Sequence, residues 1–177
     1  MARVFFKTET KSLISRFGFG LRQNFLRFYA DSAGQRTETN SAGDGGFEWQ
    51  TDLKQPVFAD KSVFESQLLV FAPIFYSQAD ELDAFDAIAI AADPGRSEIG
   101  GYWQIPNASW RNRLITKLTK AISFDLYLEL VYQKFDPATP VDVTLPADEL
   151  IPVVDAGVRK GTQLRQTFTF GLSFDIL

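Results

Sequence analysis

Five acidic residues, Asp80, Glu81, Asp83, Asp86 and Asp93, fall within DELDAFDAIAIAADPG. Carboxylate oxygens gathered in one loop are the raw material of a calcium site, but their spacing is not that of an EF-hand, and a solvated acidic loop explains them more simply. Asp125 and Glu129 form a second acidic pair. Four positions apart on one face of a strand they stand ~13 Å from each other, too far for an acid–base dyad. A carboxylate-based hydrolase would need two acids roughly 5–10 Å apart in a cleft. The chain has no histidine and no cysteine, which removes the commonest general base and every Ser-His or Cys-His nucleophile pair. Disulfides and thiolate metal sites go with them. In GFGLRQNF, Gly18 and Gly20 are separated by one residue, but they sit inside a strand pattern and open no helix. They read as relief of crowding or a bend, not as a phosphate loop. The expectation is a non-catalytic protein with no metal site and no cofactor.

The elements that carry these residues have a period of two, so each strand has one apolar and one polar face. LISRFGFGLRQNF sets Leu13, Phe17, Phe19, Leu21 and Phe25 against Arg16, Gly18, Gly20, Arg22 and Asn24. FEWQTDLKQPVF sets Phe47, Trp49, Leu53 and Val57 against Glu48, Gln50, Asp52 and Lys54. VFESQLLVFAPIFY continues with Phe64, Leu68, Val70, Ile74 and Tyr76 on one face and Glu65 and Gln67 on the other. WRNRLITKLT opposes Trp110, Leu114 and Leu118 to Arg111, Arg113 and Lys117. AISFDLYLELVYQKF opposes Phe124, Leu126, Leu128 and Leu130 to Asp125 and Glu129. The end of the chain opposes Leu164, Phe168, Phe170, Leu172 and Phe174 to Arg165, Thr167 and Thr169. With the short run ARVFFKT ahead of them, about seven or eight strands are expected, and the fold class is all-β.

The connections alternate strictly between short and long. TETK, ADKS and the Lys120 region are tight turns. The long connections cover about 30–45, 77–108 and 136–161, so they all fall at one end of the sheet. Short turns on one side and long loops on the other are the asymmetry of an outer-membrane barrel. The predicted architecture is a single domain over 1–177, an antiparallel up-and-down transmembrane β-barrel, either whole or the C-terminal part of a larger one. Leu13, Phe17, Phe19, Leu21, Phe124, Leu126, Leu128, Leu130, Phe168, Phe170, Leu172 and Phe174 would face lipid. Arg16, Arg22, Glu48, Asp52, Glu65, Arg111, Arg113, Lys117, Asp125, Glu129 and Arg165 would face the lumen as paired charges that close the pore. Tyr29, Trp49, Tyr76, Trp103, Trp110 and Tyr132, near the long-loop ends, would form an aromatic girdle at the interface. The apolar AFDAIAIAA within the second long connection could fold over the barrel mouth, add a short strand or touch a partner.

A soluble β-barrel that binds a small apolar ligand in a Phe-rich interior would use the same residues with polarity reversed. Strand length argues for the membrane. The patterns run about ten residues, enough to cross the hydrocarbon, against about five or six for ordinary soluble strands. The net charge of −4, mixed along the chain, offers no nucleic-acid footprint. MARVFFKTETKS lacks the apolar run and small-residue cleavage site of an export signal. Together with an odd strand count, this suggests at least one strand ahead of Met1.

GGFEWQTD, GGYWQIPNASWRNRLITKLTKAISFDLYLELVYQKFD and LRQTFTFGLSFDIL resemble the closing strands of a poorly characterised family of Gram-negative outer-membrane β-barrel proteins. The shared grammar is a W-x-N-x-L strand, a T-K-x-I-S turn, a long L-x-L-x-L-x-Y strand and a G-L-S-F ending, clearest from Gly100 onward. Such barrels usually end on an aromatic residue, whereas here the ladder fits Ile176 and Leu177 adds one residue more. The resemblance implies outer-membrane localisation, contact with membrane lipid, and other outer-membrane complex subunits as partners reached through the long loops. It implies no particular activity.

Overall fold

The structure, a computed structural model, describes residues 1–29, 37–58, 61–119, 122–159 and 161–172. Among the described residues seven strands form one antiparallel sheet in chain order: β1 Ala2–Lys7, β2 Ser12–Tyr29, β3 Thr37–Val57, β4 Ser62–Tyr76, β5 Asn107–Lys117, β6 Ile122–Tyr132 and β7 Gln163–Leu172. The topology is the up-and-down meander expected from the alternation. Among the described residues β1 and β7 do not pair, so the sheet is open.

Strand length sets the proportions. β2 has 18 residues and β3 has 21, and residue-by-residue pairing joins them from Ser12 opposite Lys54 to Tyr29 opposite Thr37. The expected loop at 30–45 is therefore shorter, because residues 37–45 are strand. Thr, Asn and Gly in TETNSAGDGG read as turn formers, but a register already fixed by the Phe17–Trp49 region carries the ladder on through them.

The fold is mostly antiparallel β-sheet, with helices in two of the long connections. The second long connection contains a 14-residue helix, α1 (Ala79–Ala92), and a 3₁₀ turn (Gly100–Gln104), and the third contains an 11-residue helix, α2 (Ala147–Gly157). α1 is alanine-rich and has Asp80 and Glu81 in its first turn, where the helix dipole favours acids. Both helices open with Ala-Asp-Glu-Leu, and the leucine of each, Leu82 and Leu150, is fully buried. With Phe85, Ala89, Ile99, Phe135, Val141 and Val154 they pack on Ala42 of β3 and Tyr76 of β4. This cluster is the main apolar core, and it lies at the long-loop end of the sheet. The carboxylate of Asp86 ties it together, accepting the backbone N–H groups of Ile99 at 3.0 Å and Gly100 at 2.6 Å. Arg96 forms an ion pair with Asp155 in the last turn of α2 and lies 5.4 Å from the Phe85 ring. The Asp155 hydrogen bond holds the Arg96 guanidinium above its ordinary pKa. The acidic loop of the sequence is thus largely a helix, and among the described residues no group of three or more potential metal ligands forms.

Candidate functional site

Register divides the sheet's side chains into two faces. One cross-strand row runs Ile14–Asp52–Gln67–Arg111–Glu129–Arg165, and the next runs Lys7–Ser12–Lys54–Glu65–Arg113–Tyr127–Thr167. Charges alternate in sign along the first row, and in the second Glu65 stands between Lys54 and Arg113. Arg111 Nε donates to Glu129 at 2.7 Å, Arg113 Nε to both oxygens of Asp125 at 3.0 and 2.9 Å, and Lys54 pairs with Glu65 at 2.9 Å. Asp52 accepts from Arg16 and from the amides of Gln50 and Gln67. Nearer the long loops, Arg22 Nε donates to the buried Asp44 at 3.0 Å and its guanidinium lies 3.7 Å from the Phe71 ring.

These side chains share a concave surface. A cavity of about 440 Å3 is lined by Arg16 of β2, Asp52 of β3, Glu65 of β4, Arg111 of β5 and Tyr127 of β6. In a flat sheet β2 and β6 would be ~19 Å apart. One cavity of that volume meets both only if the sheet rolls with its charged face inside. The helical cap closes over the long-loop end of this face, through Tyr76, Ala42 and Asp44.

Outside lies the apolar face. Leu13, Phe17, Phe19 and Leu21 align with Leu53, Trp49, Phe47 and Gly45, and Leu114 and Trp110 align with Leu126 and Leu130. Leu128 and Phe124 alternate with them on β6. Exposure is high: Phe17 53%, Phe19 54%, Leu21 71%, Trp49 45%, Trp110 46% and Leu164 58%. Phe168, Phe170 and Leu172 are in register with Leu126, Phe124 and Ile122; their side chains, and all of Phe174, lie outside the described part. Two polar groups on this face serve tryptophans. The indole of Trp49 donates to Ser15 at 2.7 Å and that of Trp110 to Ser66 at 3.0 Å. Asn112 is different, because its Oδ1 is buried with no partner among the described residues.

All eleven charged residues assigned to a lumen, Lys117 included, share the concave face by register. The six aromatics assigned to a girdle divide. Phe17, Trp49, Val70, Ala108 and Tyr132 form one outer row, and Trp110 lies in the next. The Tyr29 side chain lies outside the described part. Tyr76 and Trp103 do not join them. A bulge between Gly45 and Gly46 shifts the register, so Phe75 points outward and Tyr76 turns to the concave face opposite Asp44. Tyr76 is 6% exposed, donates to the carbonyl of Pro137 at 3.2 Å and packs against Trp103, ring centroids 6.1 Å apart. Trp103 belongs to the 3₁₀ turn of the cap. Sequence alternation missed the bulge, although the adjacent Gly45 and Gly46 and the Pro73 opposite Gly46 were signals of it.

Comparison of the chain with known protein families, with characterised proteins and with solved structures finds no match. No helix among the described residues is long and apolar enough to cross a membrane, which says nothing about strands.

Proposed function

We propose that this chain forms the wall of an outer-membrane β-barrel with a structural, channel or partner-anchoring role and no catalysis. The observation that carries this reading is the inverted polarity of the rolled sheet, ion-paired inside and rich in exposed Phe, Leu and Trp outside. A contiguous apolar surface of this extent is a contact surface for lipid or protein. Its height suits lipid. The outer residues of β6 run from Ile122 to Tyr132, 11 residues, or ~33 Å along the strand and roughly 23 Å across a bilayer at a 45° tilt, close to the ~25 Å apolar band of such barrels. Trp49, Trp110 and Tyr132 near the upper limit of that band suit an interface. The longer β2–β3 hairpin and the helical cap then project on the loop side.

The soluble reading needs the Phe-rich face to line an interior, and the cavity lined by Arg16, Asp52, Glu65 and Arg111 supports the opposite arrangement. Membrane fractionation of the native gene product, followed by gel electrophoresis of unheated and boiled samples, tests the proposal. An outer-membrane band that shifts only on boiling is the expected result. A soluble protein with no shift would overturn it.

A further inference from the structure

Among the described residues, the partners of each ion pair on the concave face are unequally exposed, and the cation is always the more exposed of the two. The Arg111 side chain is 49% exposed against 11% for Glu129, Arg113 48% against 24% for Asp125, and Arg16 48% against 28% for Asp52. Arg22 with Asp44 and Lys54 with Glu65 follow the same order. Side-chain length is the cause at the aspartates, because the guanidinium reaches past a carboxylate rooted close to the wall. Glu129 is longer, but Arg111 and the Ser109 hydroxyl hold it down. Charges that nearly balance when counted therefore do not balance where a solute would meet them.

The guanidiniums also keep unused donors. Each has N–H groups on three nitrogens, in a planar fork that matches a carboxylate or a phosphate. Arg111 uses Nε and Nη1 on Glu129 and Gln67, Arg113 uses Nε and Nη2 on Asp125, and Arg16 uses Nη1 on Asp52. Nη2 of Arg111, Nη1 of Arg113 and Nη2 of Arg16 donate to no other described residue. Arg111 and Arg113 are alternate residues of β5, so their Cα atoms stand ~7 Å apart on one face. With Arg16 and Lys54 they line the cavity of about 440 Å3, whose acids are Asp52 and Glu65. That volume suits a small molecule.

The gradient of charge along the strands gives a direction of entry. The cavity lies in the short-turn half of the sheet, at Ser12 to Arg16 on β2 and Arg111 to Arg113 on β5. Beyond it, at the turn end, Lys7, Lys11, Lys61 and Lys117 are exposed, and Lys120 follows in sequence. The acids of these stretches, Glu9 and Asp60 with Asp175 of the C-terminal run, are fewer; Lys120, Asp60 and Asp175 lie outside the described residues. At the opposite end the cap has Asp80, Glu81, Asp148 and Glu149 in the first turns of its helices. Cations therefore flank the approach from the short turns and acids the far end, and a cleft of one sign concentrates solutes of the other.

We propose that this cavity binds a small organic oxyanion, a solute with a phosphate or carboxylate group, held by the remaining N–H groups of Arg16, Arg111 and Arg113 and admitted from the short-turn side. The inference deepens the barrel reading and rests on it, since only a membrane wall makes the cavity a lumen. Arginine suits the task because its guanidinium stays charged while paired, and a second oxyanion can complete its fork. The wall carboxylates hold each guanidinium in place without covering its outer edge, so the site is formed before the solute arrives.

Equilibrium dialysis of the full chain, folded in non-ionic detergent micelles, tests this with glucose 6-phosphate as the probe. Glucose and glucosamine are its neutral and cationic counterparts of similar size. Glucose 6-phosphate should be retained and the other two not, with retention falling as ionic strength rises from ~0.05 to ~0.5 M. Glucosamine held as well as glucose 6-phosphate would overturn the proposal, and so would retention of none of the three. Arg16→Gln and Arg113→Gln should each weaken retention ~5-fold or more, whereas Glu65→Gln, which removes an acid from the same cavity, should strengthen it ~2-fold or more. Weakening by all three would report general distortion and would also overturn it. Should a variant fail to fold, the ranking of the three sugars on the unaltered chain still decides. The gel shift on boiling reports separately on the barrel. A chain that shifts but retains no glucose 6-phosphate loses the site and keeps the barrel, and a soluble chain with the expected ranking loses the lumen and keeps the site.

Discussion

Asn112 and Arg113 are neighbours in sequence on opposite faces of β5, and their substitution should have opposite signs. Asn112 points outward, with Oδ1 buried and without a partner among the described residues. An unmade hydrogen bond of this kind costs ~1–3 kcal/mol, so Asn112→Leu should stabilise the chain or leave it unchanged, read as the urea midpoint of the protein folded into lipid vesicles. Destabilisation would show that the amide has a partner on the outer face. Arg113 holds both oxygens of Asp125. Arg113→Leu leaves that carboxylate unpaired on the concave face and should lower the same midpoint. Half-exposed pairs are worth little individually, so the expected loss is about 1 kcal/mol or less. A larger charge effect belongs on the outer face. Leu126→Arg, near the middle of the apolar band, should cost ~2–4 kcal/mol if that band meets hydrocarbon. If it costs no more than Arg113→Leu, the faces have been assigned the wrong way round.

Packing sets the behaviour of the elements. The helical cap holds most of the buried apolar side chains, whereas the sheet is held by its ladder and its cross-strand pairs. The two should therefore lose structure separately. Leu82→Ala and Leu150→Ala each leave a hole in the cap, with expected costs of ~2–5 kcal/mol. Limited proteolysis should then cut within 77–106 or 133–162 while the sheet stays intact by circular dichroism. Simultaneous loss of both signals would make cap and sheet one cooperative unit. Gly46→Ala probes the join, because its Cβ would stand 2.1 Å from the carbonyl oxygen of Ala72. Backbone cannot move aside cheaply, so the bulge and the inward turn of Tyr76 should be lost together. This join was also where the sequence was hardest to read. The two-residue alternation of Phe17–Phe19–Leu21 or Phe124–Leu126–Leu128 identifies strands and faces, because one face is uniformly apolar. A one-residue bulge preserves local composition while reversing everything beyond it, so Tyr76 read as an outward residue. In α1, AFDAIAIAA alternates well enough to suggest a strand. Its apolar residues Leu82, Phe85 and Ala89 also fit a helical stripe, and only the core beneath decides between the two.

At the scale of the whole molecule, the distribution of apolar surface is the property that separates a membrane wall from a soluble shell, and the chain has its own reporters of it. Its three tryptophans occupy two environments. Trp49 and Trp110 stand on the outer face of the sheet, each close to half exposed, while Trp103 is packed against Tyr76 inside the cap. Phenylalanine can replace any two, keeping one aromatic ring and giving up the other and, at Trp49 and Trp110, the indole bond to Ser15 or Ser66. With the protein folded into vesicles whose acyl chains are brominated, the variants retaining only Trp49 or only Trp110 should be quenched. The variant retaining only Trp103 should keep its fluorescence and shift little between brominated and plain lipid. The reverse pattern would place the cap in the bilayer and the Phe-rich face in water. Equal quenching of all three would mean that the cap lies down against the membrane, leaving the mouth of the sheet uncovered. No quenching of any would remove the outer face from lipid altogether, and the same exposed surface would then have to be explained as a protein interface.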